Sequence, residues 1–322
     1  MRLVRSATRE WVIGDDKPFT VIGERLNPTN RKTFIEELAA GNYERVERDA
    51  LSQTEAGAHM LDVNAGIPPH MGDEVKILVD MINLVQGLTD LPLAVDSSVK
   101  EALIAGVEAA KGRPLINSVT GEDESLDIVL PLAAKYDCPV VAICNDETGI
   151  SPDPEVRFAV AKKIVERAAD FGIKANDIVI DPLVMPLGAT PADAVLTYSQ
   201  QAFEIVAKIR KELGANTTCG LSNVSFGLPN RHWMNGIFVA MAAGYGMTSA
   251  IMNPLHEEEM TSVRAADALL GHDQSCMKWM AKYRAPAPEG AEGAGRGRRG
   301  GGRRRSARRR ARGSRRCRRA SR

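Results

Sequence analysis

The stretch PVVAICNDETGISPDPEVRFAVAKKIVERAADFGIKANDIVIDPLVMP, residues 139–186, contains one complete folding unit. At either end stands a β-branched run, PVVAICN (139–145) and DIVIDPLVMP (177–186). Between them Val156, Val160, Ile164, Ala168 and Phe171 recur every three or four residues, the period of one helix face. Asp153-Pro154 supplies the cap and first-turn proline of that helix, and Gly172 stops it. A strand, a covering helix and a second strand in this order require parallel pairing through a right-handed crossover.

The same alternation runs outward in both directions, from Phe19 to about Asp273. The other strands are FTVIGERLN (19–27), HMLDVNAG (59–66), PLAVDSS (92–98), PLINSVT (114–120), TCGLSNVS (218–225) and SAIMNP (249–254). Leu196, Phe203, Val206 and Leu213 mark one face of a further helix that ends at Gly214. Eight strand-then-helix units close into an α/β (β/α)8 TIM barrel. A doubly wound open sheet is the competing architecture, but the first strand-to-helix turn lacks its GxGxxG phosphate loop.

Of the 322 residues 44% are hydrophobic and 26% charged, which excludes fibrous and wholly disordered chains. The near balance of 42 basic and 41 acidic side chains hides two opposite objects. Residues 285–322 hold 15 arginines against Glu289 and Glu292, so residues 1–284 are strongly acidic. We therefore divide the chain into a barrel domain, 1–284, and an Arg/Gly/Ala-rich tail, 285–322, expected to be disordered because it has too little apolar surface to offset ordering. Arg, Ala, Gly and Pro are also what GC-rich codons give out of frame. The tail is either a frameshifted extension or a tether for nucleic acid or another anionic partner. Five dispersed cysteines without a CxxC pair suggest reduced thiols, and no apolar run spans a bilayer, so a cytoplasmic protein without membrane contact is expected.

In such a barrel the chemistry lies at the carboxyl ends of the strands. Those ends carry Glu24 and Asn27, Asp62 and Asn64, Asp96, Asn117, Asn145 with Asp146, Asp181, Asn223 and Asn253. Some residues of this kind simply cap the helix that follows. A ligand that wants carboxylates and carboxamides is the alternative. No bound metal is expected, since His59, His70, His232, His256 and His272 belong to no HExxH or paired-histidine motif and read as surface or supporting residues. A flat heterocycle with an amino-pyrimidinone edge suits this lining. A carboxylate accepts two parallel N–H bonds, and an asparagine offers donor and acceptor to adjacent ring atoms. Pterins have that edge, with Asp181 and Asp96 as acceptors and Asn117 as the bridging amide.

The strings IGERLNPT (22–29), LDVNAG (61–66), VDSS (95–98), INSVTGE (116–122), IDPLVMP (180–186) and GLSNVSFGLPNR (220–231) resemble the methyltetrahydrofolate:corrinoid methyltransferases and the pterin-binding domain of cobalamin-dependent methionine synthase. The resemblance spans about residues 18–280 and leaves out the tail. It implies a barrel, usually homodimeric, that binds methyltetrahydrofolate or tetrahydrofolate and exchanges the N5 methyl group with cobalt of a corrinoid (cobalamin) on a partner protein. It places the pterin anchors on Asp96, Asn117 and Asp181, the asparagine close to N5 on Asn223, and a nearby arginine on Arg231. Asp62 and Asn64 complete the mouth.

Methyl loss from a tertiary amine needs positive charge on N5, so the site must favour a proton or hydrogen bond there. Asn223 is the candidate catalytic residue. Its carbonyl oxygen would stabilise protonated N5 while solvent or a relayed group brings the proton. The chain lacks a DxHxxG corrinoid-carrying stretch, so the corrinoid arrives on a partner. Two other functions compete. Dihydropteroate synthase, another pterin barrel, ends in SxRxH, whereas here Ser262-Val263-Arg264 is followed by Ala265-Ala266. An anion- or RNA-binding protein acting through the tail is the other.

Overall fold

The computed structural model describes residues 3–284, and the tail from 285 onward lies outside the described residues, as does its expected disorder. Of the described residues, 3–282 form one compact unit. A short antiparallel hairpin, β1 (Leu3–Arg5) and β2 (Glu10–Val12), precedes eight parallel strands. These are β3 (Thr20–Leu26), β4 (Met60–Asn64), β5 (Leu93–Asp96), β6 (Leu115–Thr120), β7 (Val140–Ile143), β8 (Ile178–Asp181), β9 (Asn216–Thr217) and β10 (Ser249–Met252). Strands β3 to β9 pair in sequence order and β10 pairs with β3. The ring closes between β9 and β10, where Thr248 N–H donates to Thr217 O at 3.3 Å and Ile251 N–H to Cys219 O at 2.8 Å. The closed (β/α)8 barrel is the one read from the sequence.

Helices α1 (Lys32–Ala39) and α2 (Glu44–Ala56) follow β3. Single helices α3 (Glu74–Leu88), α4 (Lys100–Ala109), α5 (Asp123–Lys135), α6 (Pro154–Asp170), α7 (Tyr198–Lys208), α8 (Arg231–Gly244) and α9 (Glu257–Leu269) cover the later steps, and α10 (Met277–Tyr283) ends the description. Among the described residues no helix is long and apolar enough to cross a membrane. In α6, Asp153 caps the first turn by accepting from Glu155 N–H. The buried face is Arg157, Phe158, Val160, Ala161, Ile164 and Ala168, while Val156 and Phe171 are exposed. Val156 sits one helical step away from the barrel, and Phe171 is already the C-cap.

The strand expected over 218–225 is shorter and earlier. It ends at Thr217, and Leu221–Asn223 form a 3-10 turn in which Asn223 N–H closes onto Gly220 O at 3.1 Å. The N-terminal hairpin was not read from the sequence. It plugs the barrel floor: Val4 and Ile13 pack with Ile22, Met60, Ala94, Leu115, Val141 and Val179, one inward residue from each of six strands. Trp11 stacks on His59 with ring centroids 4.0 Å apart and donates to Thr20 Oγ1 at 2.8 Å.

Candidate active site

Strand side chains alternate between faces, so the residue two places beyond each floor residue points into the barrel one layer higher. Above Ile22, Met60, Ala94, Leu115, Val141 and Val179 stand Glu24, Asp62, Asp96, Asn117, Ile143 and Asp181. An apolar layer thus gives way to four carboxyl groups and an amide. No lysine or arginine belongs to this layer. The outward neighbours confirm the phase on β3, where Arg25 faces Asp49 at 3.8 Å and a Cβ on Gly23 would strike Gln53 of α2.

The layer is tied together by its own hydrogen bonds. Asn117 Nδ2 donates to Asp62 Oδ1 at 3.0 Å, and Asn27 Nδ2 to Asp96 Oδ2 at 3.4 Å. Asp62 and Asp96 bond to each other, and Asn64 bonds to Asp96. Asp62 is 1% exposed, so it stands behind the mouth and orients Asn117 and Asp96 rather than lining open space. Burial, then the Asp96 charge, raises its carboxyl well above the ordinary aspartate range. Burial also lifts Asp96 to about 6.

Asp181 closes the other side. Its carboxylate accepts from Leu183 N–H at 2.8 Å and from Gly220 N–H, yet burial outweighs both and raises it to about 6. Behind it Arg157, wholly buried, donates to the carbonyls of Pro182 and Leu183 at 2.8 Å each and fixes the turn after β8. Sequence periodicity missed Arg157; its signal is a charged residue on the buried face of α6.

Asn223 and Arg231 are brought to the same rim by the β9-to-α8 loop. Arg231 donates through Nε to Ser225 Oγ at 3.0 Å and through Nη2 to Ser222 O at 2.7 Å, clamping that loop. Asn223 is exposed, and its amide lies over Gly220, where an added Cβ would stand 3.3 Å from Nδ2. Of the other strand-end residues, Asp146 is engaged in its own turn, accepting from Thr148 N–H at 2.9 Å.

Two further residues of the rim were read as unrelated histidines. His232 and His256 meet at Glu259, each with Nδ1 3.2 Å from Glu259 Oε1, and Asn235 Nδ2 donates to the same oxygen at 2.9 Å. The His–His–Glu trio has the ligand types of a cation site. However, Asn253 Oδ1 accepts from Leu255 N–H, which turns its amide nitrogen onto His256 Nε2 at 3.0 Å. Nε2 is therefore the acceptor and Nδ1 bears the hydrogen facing Glu259, so the one ring lone pair of His256 is already taken by the Asn253 amide.

A model of the family described as pterin binding enzyme matches residues 23–253. The chain belongs to the pterin-binding enzyme family. Within it, the chain is 36% identical over 269 residues to the methylcorrinoid:tetrahydrofolate methyltransferase of Eubacterium limosum, covering 82% of this chain and 96% of that protein. It is 32% identical over 243 residues to the methionine synthase of Mycobacterium leprae, covering 72% of this chain but 20% of that larger protein. Among solved structures, dihydropteroate synthase of Xanthomonas albilineans with 7,8-dihydropteroate matches with a TM-score of 0.60 at 21% identity, over 83% of this chain and 98% of the other. The same enzyme with 4-aminobenzoic acid gives 0.61 at 23%, over 84% and 98%. At that identity the likeness is one of fold.

Proposed function

We propose that this pterin-binding enzyme is a methyltransferase that moves a methyl group between N5 of tetrahydrofolate and the cobalt of a corrinoid carried by a partner protein. The observation that carries the reading is the inward layer Glu24, Asp62, Asp96, Asn117 and Asp181, which offers acceptors to an amino-pyrimidinone edge and no cation to a phosphate. The family match and the Eubacterium limosum relative support it. Asp96 and Asp181 accept from the ring N–H and amino groups, Asn117 bridges a neighbouring nitrogen and oxygen, and Asp62 and Asn64 hold these side chains in place. Asn223, exposed on the rim, is the residue that stabilises protonated N5 through its carbonyl oxygen, with Arg231 holding its loop.

A dihydropteroate synthase activity fits less well. Arg264, the arginine of the incomplete SxRxH pattern, spends its guanidinium on Glu257 at 3.3 Å and on Ala56 O at 3.3 Å. Homodimerisation is part of the reading. Trp233, Ile237 and Met241, spaced by four along α8, are about half exposed and form an apolar stripe on its outer face. A cytoplasmic setting suits the free thiols of Cys138, Cys144, Cys219 and Cys276. The tail, 285–322, is accessory: its deletion leaves methyl transfer intact and removes any anion or nucleic-acid binding.

Equilibrium titration with methyltetrahydrofolate tests the site. Wild type binds one folate per chain, and Asp181→Ala and Asp96→Ala each weaken binding at least about tenfold, as expected when buried polar partners are left unpaired. Binding undiminished in both variants would contradict the assignment.

A further inference from the structure

The mouth layer serves only one end of a folate. Beyond the pterin ring the molecule carries an aminobenzoyl arm that ends in a glutamate with two carboxylates. In the pose proposed above, Asp96 of β5, Asn117 of β6 and Asp181 of β8 take the amino-pyrimidinone edge, and N5 lies beside Asn223 after β9. The arm grows from C6, the ring atom bonded to N5. It therefore leaves on the side away from β5 and β6, over the arc of the barrel that runs from β9 through β10 to β3.

At the β3 end of that arc stands a group of arginines. Asn27 Nδ2 donates to Asp96 Oδ2, and Arg31, the N-cap of α1, donates through Nη1 to Asn27 O at 3.3 Å, so the group begins two side chains from a pterin anchor. Arg31 Nη2 and Arg48 Nη2 reach the two oxygens of Asp49 at 3.2 and 3.0 Å, and Arg25 Nη2 stands 3.8 Å away. Asp49 lies beneath with its side chain 6% exposed, while those of Arg25, Arg31 and Arg48 are 33%, 22% and 61% exposed. Three guanidiniums open to solvent thus share one buried carboxylate. Arg25 is the least satisfied of them: Asp49 is beyond hydrogen-bond reach, and its Nε is shut off from solvent with no acceptor among the described residues. Burial, then the Arg25 charge, lowers the Arg31 guanidinium below its ordinary range, as crowded cations do. By contrast Arg45 is matched by Glu37 at 2.7 Å, Lys100 by Glu124 and Lys163 by Asp123 at 2.9 Å, and Arg231 is spent on its own loop. A surplus of positive charge in an acidic domain draws an anion.

We propose that Arg25, Arg31 and Arg48 bind the carboxylates of the folate's glutamate. The inference rests on the methyl-transfer reading above and supplies a site for the end of the substrate that the mouth layer leaves free. A guanidinium fork matches a carboxylate with two parallel N–H bonds, and three of them around one buried aspartate have donors left for two carboxylates. These side chains stand outside the carboxyl-and-amide layer, so they act on substrate binding and not on the chemistry at N5.

The test compares methyltetrahydrofolate with its diamide, in which both glutamate carboxylates are carboxamides of the same size, by fluorescence titration of the full chain. We expect wild type to bind the acid about tenfold more tightly than the diamide at low salt, with the preference shrinking in about 0.5 M salt. The double variant Arg25→Gln, Arg48→Gln should bind the two ligands within about threefold of each other and hold the diamide as wild type does, which a distorted mouth would not. Arg48→Gln alone changes only the most exposed of the three and should lower the preference about threefold. Equal binding of acid and diamide by wild type, or a preference undiminished in both variants, would overturn the inference. Wild type that binds neither ligand overturns the methyl-transfer reading as well, whereas wild type that binds both equally overturns this inference alone.

Discussion

Asn117 donates its amide to Asp62 across 3.0 Å, so the amide proposed to meet the pterin has its orientation set by a carboxyl 1% exposed beneath it. Replacing Asp62 by Ala leaves that amide free to rotate and its N–H unpaired. We expect folate binding to weaken about tenfold, near the low end of what a stranded buried polar group costs, with the transfer rate at saturating folate much less affected. Fluorescence titration beside single-turnover rates separates the two effects.

Gly220 tests the rim. Its N–H bonds Asp181 and the Asn223 amide lies directly over it. Gly220→Ala puts a Cβ 3.3 Å from Asn223 Nδ2, a tight contact that moves the amide rather than the barrel. Transfer should slow about tenfold while folate affinity stays within about threefold. A variant as fast as wild type would show that the position of Asn223 is not critical.

The raised carboxyls set the pH dependence of stability. Glu24, Asp96 and Asp181 bind protons more tightly folded than unfolded, their folded values being about 7, about 6 and about 6. Where the native state holds the extra protons, unfolding free energy falls as pH rises. The ligand-free protein should thus be most stable near the ordinary carboxyl range and lose stability up to about pH 7. Glu24→Gln should flatten the upper part of this fall and gain about 1–3 kcal/mol at pH 8. Urea unfolding at a series of pH values measures it.

At the closed end of the barrel, Arg113 and Asp177 meet at 3.1 Å with both side chains 7% exposed, and Arg113 also donates to Leu3 O of the hairpin. Arg113→Met takes the buried guanidinium away from Asp177 and unpins the floor. A loss of about 3–5 kcal/mol is expected, with transfer per folded molecule unchanged because the mouth lies at the other end. Thermal unfolding together with activity normalised to folded protein checks both halves.

Most of the barrel was legible because its strands are runs of β-branched residues and its helices repeat every three or four residues, patterns that burial imposes locally. Two elements escaped. The hairpin Leu3–Val12 consists of two three-residue strands, too short for a period. The ninth strand is two residues long and its run ends in the 3-10 turn Leu221–Asn223, next to Gly220, whose N–H bonds Asp181, a contact between segments far apart in sequence. The site divides the same way. Asp96, Asn117 and Asp181 stood out as polar residues closing apolar runs, whereas the backing roles of Asp62 and Arg157 depend on depth. The meeting of His232, His256 and Glu259 depends on two helix starts facing each other, which spacing along the chain does not encode.

The most direct measurement is the anaerobic mixing of purified protein and methyltetrahydrofolate with Co(I) cobalamin, following cobalt absorbance. Methyl transfer at the folate site predicts Co(I) disappearance coupled one-to-one to methylcobalamin, at a rate that saturates with folate and is lost in Asp181→Ala. Co(I) that persists as long with the protein as without it would contradict the account.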